Sequence, residues 1–517
     1  MSHNSLATAV DGKQPLSVVA SRHSYSQILR SSAVIGGSSL VIAIISMVRT
    51  KALAVLLGPA GYGLLGAFGL IVDLARTAAQ LGVNGSGVRQ IAEAVGSEDE
   101  QRIARTVLVL RRATMGCAVL GTMLLAVFAE QISTLTFGTA NHATAVALLS
   151  VAVSLGLFTG SQSALLQGMR RIGDLAKVGI IGAVAGTLVS VPMVFFLGED
   201  GLVSSLIAVA AASAFASWWY ARKVVVGAPV DPKVDGLAKE FASLFKLGLA
   251  FLGSGLLSMG AMYIVRAIVV RDLGLEAAGI YQAAWTLGGL YIGFILQALG
   301  ADFYPRLVGV IADHPECNRV VNEQAQVSLL LSAPGVIATI TFAPLAVYLL
   351  YSVEFSASIE VLRWICLGMA MRIVTWPLGF IIVAKSRQLA FLGTDAAWAV
   401  ANVSLTWLFV NRFGINGTGI AFFCSYLLHA AIVYPLARRM TGFRWCAGNI
   451  RAGLCFGSLI AAVFIGFNTL PLPIATALGL IATVASGCFS IWSLSRLASS
   501  DLVPSSIRRF FRTRRFG

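Results

Sequence analysis

The residues most able to do chemistry are cations placed where cations are costly. Arg49 and Lys51 lie in the stretch Met47–Gly63, MVRTKALAVLLGPAGYG, within the outer half of an apolar run that a Gly-Pro-Ala-Gly turn closes. The pattern returns about 216 residues later as Ile264–Tyr281, IVRAIVVRDLGLEAAGIY, where Arg266 is expected to stand for Arg49 and Gly274 for Gly58. Arg76 and Arg372 fall near the middle of two further apolar runs. A charged group at the centre of a membrane helix costs about 2.5–3.5 kcal/mol on insertion scales, so four facing lipid is implausible and they are expected to face an interior cleft or find partners. A surplus of unpaired guanidinium and ammonium groups suits an anion such as a phosphate or diphosphate.

Partners for these cations are few. Asp73 lies three residues before Arg76 and Glu360 three before Arg363, spacings that read first as local neutralisation on one helical face. Asp73 also stands as the candidate for a coupling proton or sodium ion. Arg49, Lys51, Arg266 and Arg372 have no obvious acid of their own. Lys51 and Arg271 sit near predicted helix ends and are able to snorkel, and Arg372 is able to latch onto backbone carbonyls. Two positions along a helix turn Lys51 about 200° away from Arg49, so the two can hardly face the same cleft. The expected binding set is therefore Arg49 and Arg266 first, with Arg76, Arg372 and Lys51 extending the basic path.

The elements that must position these residues are membrane helices. The 517-residue chain is 57% hydrophobic and 12% charged, with a mean hydropathy of +0.82; soluble domains carry about 25% charged residues. Runs long enough to span occur near 31–57, 62–83, 107–129, 143–165, 175–197 and 201–220, and again near 247–270, 277–300, 327–351, 359–384, 388–410 and 416–437. Two more follow near 450–469 and 473–495. The expected fold is an all-α polytopic membrane protein of about 14 transmembrane helices. Two pseudo-symmetric six-helix bundles (31–220 and 247–440) are joined by a cytoplasmic linker (221–246). A tail (1–30) precedes them, and an additional helix pair (441–497) and a basic tail (498–517) follow.

The net charge of +15 comes largely from Lys and Arg between apolar runs, including Arg111, Arg112, Arg170, Arg171, Lys385, Arg387, Arg438 and Arg439. Topology explains that charge without nucleic acid and predicts both termini in the cytoplasm. An even number of helices per half gives a parallel repeat about an axis along the membrane normal. The segment Gly87–Thr106 has the spacing of an amphipathic helix lying on the membrane or of a solvated loop helix. Seven cysteines and five histidines are scattered without ligand spacing, so no metal site, disulfide framework or cofactor is expected. Soluble catalytic signatures (GxxxxGK[ST], HExxH, GxSxG) do not occur, which argues against an enzyme.

The segments KALAVLLGPAGYGLLGAF (Lys51–Phe68), GVNGSGVRQIAEAV (Gly82–Val95), Ala278–Leu307 and Leu362–Arg387 resemble Wzx-type O-antigen and polysaccharide flippases. The likeness covers most of residues 25–440. It implies the multidrug/oligosaccharidyl-lipid/polysaccharide (MOP) superfamily, with two bundles around a V-shaped cleft. It further implies movement of undecaprenyl-diphosphate-linked oligosaccharide, an O-antigen or exopolysaccharide repeat unit, across the bacterial inner membrane. The implied partners are that lipid-linked oligosaccharide, membrane lipids and a polysaccharide polymerase complex. The final helix pair departs from the twelve-helix pattern and is similar to murein-precursor flippases. A multidrug exporter would instead want carboxylates in the cleft, a glycosyltransferase or polymerase a large external loop or an acid pair, and a scaffold no deep cations.

Overall fold

Two glycines set the shape of the molecule. The computed structural model describes residues 16–97, 99–224 and 237–499. Within it helix α1 (Leu16–Gln80) turns at Gly58 (φ 62°, ψ −176°), and α8 (Leu237–Val310) turns at Gly274 (φ 89°, ψ 175°). Positive φ is sterically open to glycine, and Pro59 restarts the second arm of α1 at the position where its missing N–H costs least. Between these long helices run α2 (Val83–Gly96), α3 (Glu100–Val127), α4 (Ala129–Phe137), α5 (Ala143–Gly168), α6 (Ile172–Leu197) and α7 (Gly201–Ala221). After α8 come α9 (His314–Thr341), α10 (Ala343–Leu350), α11 (Ser358–Ala384), α12 (Gln388–Phe413) and α13 (Asn416–Thr441), then α14 (Ala447–Thr469) and α15 (Leu472–Ser499).

Ten stretches are long and apolar enough to cross a membrane, and three of them, Gly37–Gln80, Ile172–Ala221 and Leu252–Gly300, have the length for two crossings. Helix α12, about 39 Å long at 1.5 Å per residue, has the length for one more but not the same apolarity; counted with it, the described residues have room for fourteen passes. Large apolar side chains such as Phe196 and Leu188 are exposed on the outside, more than a water-facing surface accommodates. The protein is a multi-pass, all-α membrane protein.

The repeat is written in the backbone. Asp99 and Asp313 cap α3 and α9 with matching dihedrals (φ −92°, ψ 99° and φ −90°, ψ 98°) and accept from N–H groups of the first turn. Gly198 and Gly414 end α6 and α12 with φ 59° and 58°, and Arg170 and Ser386 take φ 55° and 56° before those same helices. Each pair is about 215 residues apart, so the two six-pass units share a fold. The short helices α4 and α10 are also a matched pair; α4 lies where the sequence suggested a plain loop, and α10 is a separate helix within the run expected to span at 327–351. Helices α14 and α15 dock on α9, and the main junction between the two units is α1 against α8.

Several boundaries differ from the expected ones. Helix α1 begins at Leu16, inside the stretch expected as a tail, and α8 begins at Leu237, inside the expected linker; residues 1–15, 225–236 and 500–517 of the expected tails and linker lie outside the described residues. The apolar face of the amphipathic segment after Gly87 is covered by protein. Helix α2 buries Val83 and Ile91 in a cluster with Leu110, Ala113, Leu165 and Leu166, so its apolar face is used by α3 and α5.

Candidate functional site: a cationic cavity between the halves

At the Gly58 and Gly274 turns the halves meet backbone to backbone. A methyl group on Gly63 would collide with the Leu275 carbonyl oxygen, and one on Gly279 with that of Pro59. Small residues at a membrane-helix crossing permit this approach, and the two glycines are themselves repeat partners, each five residues past its turn. The Tyr62 ring packs edge-on to Tyr351 and Phe355 at centroid distances of 5.6 and 5.8 Å. Lys51 Nζ donates to the carbonyls of Tyr351 and, at 3.1 Å, Tyr348, the exposed acceptors at the C-terminal end of α10. Lys51 therefore faces the other half's backbone and not the cleft, as its angular offset from Arg49 requires.

Next to this closed end lies a cavity of about 370 Å³, lined by α1, α6, α7 and α8. Arg49 and Arg266 both line it, with Thr50, Tyr62, Asp73, Ser190, Ser205 and Gln282. Arg266 is only 4% exposed. Its Nη2 donates to Gln282 Oε1, whose amide donates on to Thr286 at 3.2 Å, and its guanidinium carbon stands 5.3 Å from the Tyr281 ring. Its Nε and Nη1 have no protein partner. A buried guanidinium with two idle donors is costly unless something negative completes it. Arg49 is half-buried and, among the described residues, forms no ion pair or side-chain hydrogen bond.

Two glycines that sequence reasoning missed make room for these charges. A Cβ on Gly66 would strike Arg266 Nη1, and one on Gly186 would come within 3.2 Å of Arg49 Nη1. Gln282 was missed as well. Its only signal was position, eight residues after the Gly274 turn, where Gly66 stands eight after Gly58.

The structure separates the remaining expected site residues. Asp73 lines the cavity, but its carboxylate pairs with Arg76 at 2.8 Å, and Arg76 itself is not in the cavity wall. Arg372 lies in the wall of a second cavity, between α8, α11, α12 and α13. Arg363 is placed by the Ile340 carbonyl (3.4 Å) and the Phe467 ring (3.9 Å), and Arg271 is exposed. Asp395, overlooked as a carboxylate within a helix, accepts from Ser254 across α8 and α12.

Arg49 and Arg266 also break the repeat between them. Arg49 is nine residues before Gly58 and Arg266 eight before Gly274, so Thr50 is the true counterpart of Arg266. The expected one-to-one match is off by one residue, about 100° of helix. Both cations reach one cavity because they approach it from different sides.

Solved transporters have a similar fold. A solved inward-facing multidrug resistance MATE transporter of the MOP superfamily superposes with a TM-score of 0.65 at 16% identity, over 78% of this chain and 95% of its own. The lipid II flippase MurJ in an inward closed conformation gives a TM-score of 0.64 at 12% identity, over 90% of this chain and 99% of its own. The chain belongs to the polysaccharide biosynthesis protein family, whose model matches residues 52–360. It is 23% identical over 401 residues to the lipid III flippase of Escherichia coli K12, covering 75% of this chain and 94% of that protein.

Proposed function

We propose that this protein is a flippase that carries a polyprenyl-diphosphate-linked oligosaccharide across the bacterial inner membrane by alternating access of its two halves. The observation that carries the reading is Arg266: a buried guanidinium with two idle donors, in the wall of a cavity that also holds unpaired Arg49. A diphosphate offers acceptor oxygens and negative charge to both, at bidentate geometry suited to arginine. Asp73 is held by Arg76, so the cavity keeps a net positive lining, which favours an anionic cargo over the cationic drugs that a multidrug exporter would take. The family membership and the likeness to the lipid III flippase of Escherichia coli support a lipid-linked sugar as cargo. Its repeat unit is that of an O-antigen or an exopolysaccharide, delivered to a polymerase on the far side.

The Lys and Arg distribution favours a cytoplasmic N-terminus, with the Gly58 and Gly274 turns on the outer side. In this orientation the Gly63–Gly279 crossing, the Tyr62 cluster and the Lys51 contacts form the outer gate. Opening that gate and closing the opposite end would pass the head group across while the prenyl tail stays in lipid. A strain lacking the protein is expected to accumulate the untranslocated lipid-linked oligosaccharide, with rescue by the wild-type chain and not by Arg266→Leu. A normal level of that lipid in the deletion strain would refute the reading.

A further inference from the structure

The second cavity has a chemistry unlike the first. It encloses about 490 Å³, within the range of small-molecule sites, and seven of its sixteen lining residues are Phe, Tyr or Trp, against two of eighteen in the first. Trp285, Trp376 and Trp398 are among them, from three different helices. The wall is not purely apolar. It includes the guanidinium of Arg372, the carboxylate of Asp395 and the imidazole of His429. Trp398 Nε1 and His429 Nδ1 are buried and have no protein partner, and the Arg372 side chain forms no ion pair or hydrogen bond among the described residues. Met262 and Trp285 belong to the walls of both cavities, so the two adjoin.

An alkyl chain filling this space would leave those polar groups desolvated and unpaired, at a cost that apolar contact does not offset. No three His, Cys, Asp or Glu side chains among the described residues are grouped to hold a metal ion. A pyranose ring meets both demands. Its faces present polarised C–H groups to the negative faces of aromatic rings, and its edges carry hydroxyls that both donate and accept. Planar Arg, Asp and His groups pair well with neighbouring hydroxyls.

We infer that the aromatic cavity between α8, α11, α12 and α13 is a saccharide subsite that holds a sugar of the oligosaccharide while Arg49 and Arg266 hold its diphosphate. The inference rests on the flippase reading and deepens it. The first sugar of such a lipid is bonded directly to the diphosphate, so the two subsites have to be neighbours, and the shared Met262 and Trp285 make them so. Arg372, expected from sequence to extend the phosphate path, becomes a sugar-contacting residue.

The test compares two probes on the purified full-length chain by competition in native mass spectrometry. One is the lipid-linked oligosaccharide that accumulates in a strain lacking this protein, the other sugar-free undecaprenyl diphosphate. Trp398→Phe and His429→Phe keep an aromatic ring at each position and remove the idle nitrogens. Each is expected to weaken the oligosaccharide about tenfold, the loss of one hydrogen bond, and sugar-free diphosphate less than about twofold. Arg266→Leu is expected to weaken both. Equal losses for the two probes, or no loss for either, in both variants would overturn the subsite. Should one variant lose the sugar-free probe through misfolding, the other, on a different helix, decides. Failure of the wild-type chain to bind either probe would instead overturn the flippase reading and the subsite with it.

Discussion

The two kinked helices are the same device used in two ways. In α8, the position eight residues before the turn is Arg266 and the position eight after it is Gln282; in α1 the same positions are Thr50 and Gly66. Eleven residues past the turn α8 has Trp285 and α1 has Gly69, and all six line one cavity. One half thus supplies the large polar and aromatic groups and the other the space for them. The N-terminal half supplies its own cation one register earlier, at Arg49, where Gly186 of α6 leaves room. A symmetric pair at the Arg266 register would place the second arginine at position 50. The one-residue slip places it at Arg49 instead, and both cations line one cavity.

That comparison can be broken in graded steps. Arg266→Leu should be the most damaging, since it removes two idle donors and strands Gln282 Oε1; at about 1.5–3 kcal/mol per charge-assisted bond, flipping in proteoliposomes should fall about a hundredfold or more. Next come Gly63→Ala and Gly279→Ala, which place a methyl group on the opposing carbonyl. Both should cut flipping about tenfold and lower the cross-linking yield of a Tyr62→Cys/Tyr351→Cys pair, because overpacking costs about 1–3 kcal/mol. Equal effects from the two glycines would sharpen the account of the crossing as a shared symmetric element. Gly293→Ala, with open space beside it, is the control.

The double change Arg49→Thr/Thr50→Arg keeps net charge and moves the cation one residue. We expect it to weaken undecaprenyl diphosphate about tenfold; unchanged affinity would mean that charge alone, and not register, matters. Lys51→Met should have the smallest effect. A cation at a helix C-terminus contributes about 0.3–1 kcal/mol, so a thiol reagent should label Tyr351→Cys about two- to fivefold faster, with diphosphate affinity untouched.

Much of the architecture was legible in the sequence because the lipid bilayer enforces it. Apolar run length led to the helices, and the repeated Arg-to-Gly stretch led to the two related halves. The Gly-Pro dipeptide at Gly58 marked one turn, and the helical angle between Arg49 and Lys51 foretold that they part. The one-residue slip was present in the spacing, nine residues from Arg49 to Gly58 against eight from Arg266 to Gly274, but it took the backbone turn at both glycines to give that count a meaning. Gly66 and Gly186 gave no local signal either: what they leave empty is filled by a side chain from another helix. Asp395 escaped notice because it lies eight residues into α12, near a boundary that hydropathy places loosely, and its partner Ser254 is 141 positions away. Short helix α4 fell below the length at which periodicity speaks, and α10 was absorbed into the apolar run at 327–351 because its side chains are as apolar as those before it.

The central claim is that Arg49 and Arg266 together hold one diphosphate. Its most direct test is the affinity of sugar-free undecaprenyl diphosphate for the Arg49→Ala/Arg266→Leu double variant, purified as a monodisperse full-length protein. We predict a loss of at least about a hundredfold against the wild-type chain, with binding of a neutral prenyl alcohol unchanged. Retention of wild-type affinity for the diphosphate by that double variant would contradict the account.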